Sequence, residues 1–220
     1  FPLLFVISVL MSFSVRAELS IQITQGIDNP IPIDVVPFSW EGSGVLDEDI
    51  GEIVTADLQQ VGEFRALSPS NMLALPREER EVYYRDWSVL AQDYLLVGKV
   101  QRAPGSELIQ VQYEFFDINR EIKLAGEVLT GTTSQLRDIG HEISNVVFEL
   151  VTGTRGAFTT QILYIVSEFV SPEVSYFRLE KADYDGRRTQ VLLESREPIM
   201  SPSWSPNGQD IAYVSFETDL

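Results

Sequence analysis

Met200-Ser-Pro-Ser-Trp204-Ser-Pro-Asn-Gly208-Gln-Asp-Ile-Ala-Tyr-Val214 combines a tight Pro/Asn-Gly turn with a short apolar strand. Asparagine followed by glycine supplies the left-handed backbone that a two-stranded turn requires. A matching strand, Ile162-Leu-Tyr-Ile-Val166, lies upstream. Ile162 and Ile211 are about 49 residues apart, a period that belongs to propeller blades rather than to helical repeats. The residues between them read as strands and turns only. Ser175 to Lys181 is a strand, Asp183-Tyr184-Asp185-Gly186 is a turn, and Thr189 to Leu193 is another strand. About four short strands per repeat is the anatomy of one β-propeller blade.

Upstream of Gly156 the pattern differs. Ile109, Val111, Tyr113 and Phe115 alternate with Gln110, Gln112 and Glu114, the period of a strand with one buried face. Tyr94 to Gln101 and Ile122 to Thr130 flank it, with turns at Pro104-Gly105 and Asn119-Arg120. Ile33 to Phe38 and Phe64 to Leu67 are further strands, and Pro37 must end the first or place it at an edge. Leu46, Ile50, Ile53, Val54, Leu58 and Val61 recur at helical steps, with Asp47, Glu48 and Asp49 read as the first turn and Gly62 as the stop. A second helix runs from Ser134 to Val151 and ends at Gly153, and Glu78 to Leu90 holds one or two short helices. The expected fold is an α+β N-terminal domain, a mixed sheet with helices on one face, spanning residues 18–155. An incomplete all-β propeller follows over residues 156–220.

Phe1 to Val15 is uncharged and apolar, and Val15-Arg16-Ala17 resembles a signal-peptidase cleavage site. Residues 1–17 are therefore expected to be a signal peptide. Fifteen apolar residues are short for a membrane span. The following segment alternates cleanly, with Leu19, Ile21 and Ile23 on one face and Ser20, Gln22 and Thr24 on the other. The chain of 220 residues carries 16 Lys+Arg against 33 Asp+Glu, a net charge of −17. That balance argues against nucleic-acid binding. Cysteine is absent, which excludes disulfides, thiolate metal sites and a cysteine nucleophile. An exported chain without cysteine fits a bacterial periplasm.

Three stretches resemble the TolB family, the periplasmic component of the Tol–Pal system. They are Glu18 to Asp28 with Pro32 to Phe38; His141 to Glu149 with Thr152 to Phe158; and Asp183 to Gly186 with Met200 to Val214. The resemblance implies an α/β N-terminal domain followed by a six-bladed propeller, so this sequence is expected to be incomplete. It also implies two partners. The periplasmic domain of TolA would take the mature N-terminal stretch, here Glu18, Leu19, Ser20, Ile21, Gln22, Ile23, Thr24 and Gln25, by strand addition. The lipoprotein Pal would bind across the propeller and tie the protein to the outer membrane. His141 and Arg155 fall at the implied domain junction. The function implied is a non-enzymatic adaptor supporting outer-membrane integrity and constriction during cell division, with no cofactor.

Two other classes compete. Propellers of periplasmic prolyl-oligopeptidase-like peptidases share the Trp-Ser-Pro turn; the G-x-S-x-G elbow and downstream histidine they need do not occur here, so this alternative requires a catalytic domain beyond Leu220. A solute-binding module would need a concave polar site, which one blade does not define. His141, the single histidine, has no second histidine or cysteine at ligand spacing and is expected to pack or hydrogen-bond. Asp183 and Asp185 lack the later glutamate of a calcium loop, so a β-turn is expected. Trp40 and Trp87 are expected in the first core and Trp204 in the blade.

Overall fold

The computed structural model describes residues 29–171 and 174–217. The expected signal peptide and the partner-binding stretch Glu18 to Gln25 lie outside the described residues. Among the described residues, no helix is long and apolar enough to cross a membrane.

The first domain is built on one mixed sheet. β1 (Ile31–Val35) leads through helix α1 (Ile50–Val61) to β3 (Phe64–Arg65), which lies parallel to it. β4 (Tyr94–Arg102), β5 (Ile109–Asp117) and β6 (Ile122–Gly131) form an antiparallel meander, and β1 joins it by pairing parallel with β4. The order across the sheet is β3-β1-β4-β5-β6. β1 is thus interior, and it stops before Pro37. The chain then resumes pairing with β4 as β2 (Ser39–Trp40). A proline lacks the N–H that a central strand must donate, so the break falls where the sequence places it.

Alternation assigns the two faces. Ile33 and Val35, Leu96 and Val100, and Ile109, Val111, Tyr113 and Phe115 point to one side. There α1 and helix α3 (Leu136–Thr152) cover them with Ile50, Val54, Leu58, Ile139, Ile143 and Val147. The long helices share this face as expected. The opposite face is covered too. Val36, Leu95, Val97, Phe116 and Ile118 pack there against Trp87 of the short helix α2 (Tyr84–Val89) and against Met72, Val82 and Leu90. Gly98 lies where β4 passes beneath Phe38. A Cβ there would sit 2.3 Å from the Phe38 ring and 2.7 Å from the Gln112 carbonyl oxygen, so only glycine fits.

α1 starts later than its charge pattern suggests. Asp49 is the N-cap, its side chain accepting the Glu52 N–H at 3.1 Å, and Asp47 and Glu48 precede the helix. Gly62 (φ 81°) and Gly153 (φ 73°) end α1 and α3 in the left-handed region. α3 is preceded by a capping box between Thr132 and Gln135.

Asp34 sits on β1 within the second core, fully buried. One carboxylate oxygen accepts the Leu67 N–H at 2.9 Å, and the other has no partner. Burial outweighs the Leu67 bond and the nearby Arg65 charge, and pushes the carboxyl up from 3.8 to about 6. A folded-state value above the unfolded one means that stability is fully present below pH 4 and is lost as pH rises through 6. The window amounts to about 3 kcal/mol. Asp34→Asn keeps the Leu67 acceptor and removes the charge. It is expected to raise stability by about 1–2 kcal/mol at pH 7.5, less than the full window because its amide N–H groups then lack an acceptor. Urea titrations at pH 7.5 and 4.5 check this; a midpoint at pH 7.5 no higher than that of the parent would contradict it.

The second part contains β7 (Gln161–Ser171), β8 (Val174–Asp183) and β9 (Gln190–Ser195), an antiparallel sheet in that order. β10 (Ile199–Trp204) and β11 (Ile211–Ser215) form an antiparallel pair across the Asn207-Gly208 turn. β10 occupies the Pro-rich run where no separate strand is expected from sequence. Trp204 is half-buried. Phe169, Met200, Tyr213, Val214 and Phe216 stay exposed.

Candidate functional site at the domain junction

Polar groups that the sequence scatters widely converge where the first sheet's helices meet the blade. α1 contributes Asp57. It lies four residues after Ile53 and three after Val54, a core-facing position for a helix, and is only 2% exposed. α3 contributes Arg137, His141, Ser144 and Asn145, a stripe in which His141 lies four residues after Arg137 and Ser144 and Asn145 lie three and four after His141, all buried. The two helices approach closely at Gly140, where a Cβ would stand 2.8 Å from Ile53 Cγ2. That approach brings Asp57 within reach of the α3 stripe. The blade contributes the turn Asp183 to Gly186, closed by the Gly186 N–H on the Asp183 carbonyl at 2.9 Å. It is the β-turn expected.

Asp57 accepts from three side chains. Oδ2 receives the Ser144 hydroxyl at 2.6 Å and contacts His141 Nδ1 at 2.8 Å. Oδ1 receives the Tyr184 hydroxyl at 2.6 Å. Burial and the bond to Asp57 push the Tyr184 hydroxyl well above its usual range, so it remains a donor. The Tyr184 ring stands edge-on between His141 (5.5 Å) and Phe158 (5.3 Å). Beside this cluster Arg137 ion-pairs with Asp185, with Asp183 at 3.5 Å and with Glu48 at 3.6 Å. Arg188 reaches back from the blade to Asp138 and to Asp183. Its hydrogen bonds to those two carboxylates hold the guanidinium above its ordinary range. Asn145 accepts the Phe158 N–H at 3.0 Å and donates to Thr159 at 3.1 Å, tying the connecting segment to α3.

Asp57, His141 and Ser144 have the composition of a hydrolase triad but not its geometry. A triad needs serine on the histidine nitrogen opposite the carboxylate. Here the Ser144 hydroxyl donates to Asp57, with the Gly140 carbonyl at 3.0 Å as its alternative acceptor, and His141 Nε2 is buried without a partner. Ser144 is 0% exposed, closed to any substrate. Asp57, His141 and Asp185 also lie within 4.8 Å of one another, near enough to suggest a metal. However, the Asp57 oxygens are already hydrogen-bonded, and Asp185 is held by Arg137 and by the Arg187 N–H. A divalent cation would have to displace a buried guanidinium, so the donor set fits ion pairing and not ligation.

Of the expected junction residues, His141 is at the centre of the network. Arg155 lies exposed in the connecting segment after α3. Sequence reading missed Asp57, Arg137, Ser144 and Tyr184. For Asp57 and Arg137 the available signal was charge at helix positions that face the core.

Comparison with known proteins adds a separate finding. Residues 19–124 match the family model for the TolB amino-terminal domain, and residues 148–219 match that for the TolB beta propeller domain. The chain is 44% identical over 214 residues to the Tol-Pal system protein TolB of Hahella chejuensis, covering 97% of this chain and 50% of that one. It is 43% identical over 208 residues to the protein of the same name from Pseudomonas aeruginosa, covering 94% and 48%. The crystal structure of TolB from Acinetobacter baumannii superposes with a TM-score of 0.77 at 30% identity, over 90% of this chain and 47% of that one. The chain spans about half the length of the relatives it matches.

Proposed function

Because this chain belongs to the TolB family, we propose that it acts as a non-enzymatic adaptor of the Tol–Pal system in the periplasm. On this reading residues Glu18 to Gln25 add as a strand to the periplasmic domain of TolA. The propeller takes Pal. The protein thereby links an inner-membrane complex to an outer-membrane lipoprotein and supports envelope integrity and constriction at division. The observation that carries the reading is the identity of 43–44% across nearly all of the chain to proteins named for that system. The exposed apolar side chains of β10 and β11 fit the same reading, since each propeller blade buries its faces against the next. A net charge of −17 favours encounter with basic partners.

The strand-addition assignment is tested by deleting residues 18–25 from the exported protein and capturing it on immobilised TolA periplasmic domain and, separately, on Pal. Capture by TolA is expected to fall by about tenfold or more, since the backbone pairs that give such complexes their affinity are gone. Capture by Pal is expected to be unchanged. Undiminished capture by TolA would falsify the assignment.

A further inference from the structure

We propose that Asp57 is the keystone of a polar latch that holds the first blade against the N-terminal domain in a single orientation. Its two oxygens serve different partners. Oδ2 is committed to α3 through His141 and Ser144, inside its own domain, whereas Oδ1 is committed to Tyr184, 127 residues away in the blade turn. With the blade seated Asp57 is 2% exposed, so Tyr184 is the partner that satisfies Oδ1 in a site closed to water. A carboxylate stripped of water and left with an empty acceptor site is strongly disfavoured.

The surroundings make the seating directional. One cation crosses from each side: Arg137 of α3 reaches Asp185 and Asp183, and Arg188 of the blade reaches Asp138. Ion pairs running in opposite senses, together with the Tyr184–Asp57 hydrogen bond, restrict both sliding and rotation. A purely apolar contact would permit sliding, because dispersion is not directional. The Tyr184 ring fills the gap between His141 and Phe158, and Asn145 anchors the connecting segment. The latch would set the orientation of the first blade relative to the sheet and helices of the N-terminal domain. It does not depend on what either end binds, so its test contains no partner.

The chain has no cysteine, so Glu107→Cys and Gln209→Cys place one spin label on an exposed turn of each domain. The critical variant is Tyr184→Phe, which keeps the ring and removes only the donor. Relative to the parent pair, the label-to-label distance distribution is expected to broaden. Amide exchange at 157–160 and 183–186 is expected to accelerate by about tenfold, the factor that one net hydrogen bond confers. Exchange in β4 and β5 is expected to stay unchanged. Asp57→Ala is expected to broaden the distances further. If it does not fold, the Tyr184→Phe result decides alone. An unchanged distribution with unchanged exchange at the junction overturns the proposal. So does equal acceleration in β4 and β5, since Asp57 would then support the domain core and not the orientation.

Discussion

Arg137→Met is expected to lower the unfolding free energy by about 3–5 kcal/mol, the cost of removing one partner from a buried ion pair. Arg137 is almost fully buried, and it faces Asp185, Asp183 and Glu48. Methionine replaces the length of the side chain and its packing but none of the charge. Asp183 keeps Arg188, and Asp185 keeps the Arg187 N–H, so the loss is partial at the first and heavier at the second. Urea unfolding of the full chain at pH 7 measures the deficit. A loss under about 1 kcal/mol would place the pair in the class of exposed salt bridges. Exposed pairs such as Arg102 with Glu107 belong in that class, since the glutamate side chain is 99% exposed.

The same contrast explains how much of the molecule is legible in its sequence. Alternation over Ile109 to Phe115 identifies both the strand and its inward face, because a half-buried strand has a period of two. Gly62 and Gly153 mark the helix ends because a left-handed residue without a Cβ is cheap there. The second core was less visible. Its signals are the doublets Leu95-Leu96 and Phe115-Phe116, where adjacent apolar residues on a strand must point to opposite faces, so both faces are buried. The start of α1 was misplaced because Leu46 continues the apolar spacing, although Asp49 is the residue that caps the first free N–H groups. The junction network lies beyond local pattern altogether. Asp57 meets residues 84 and 127 positions away, and no periodicity connects them. What the sequence does offer is an anomaly: an ionisable residue on the apolar stripe of each long helix.

Phe115→Ala is expected to cost about 3–5 kcal/mol, the range for deleting a fully buried aromatic ring. Phe115 is 0% exposed at the centre of β5. Its ring stacks on Tyr94 with centroids 5.6 Å apart, and its cross-strand neighbours are Leu96 and Ala125. Ala125 is small, so the β6 side chain directly opposite cannot refill the space. The strands on both sides are pinned by their ladders, which prevents the sheet from collapsing around the void. The whole α1–α3 face would therefore lose contacts that no rearrangement restores. Val128→Ala on β6, where the side chain is 50% exposed, is the control and is expected to change stability by less than about 0.5 kcal/mol. Urea midpoints of the two variants should differ accordingly with unchanged slopes. If Phe115→Ala were as mild as Val128→Ala, the sheet-and-helix layer would not be the cooperative core of this domain, and the junction built on its helices would lose its rigid base.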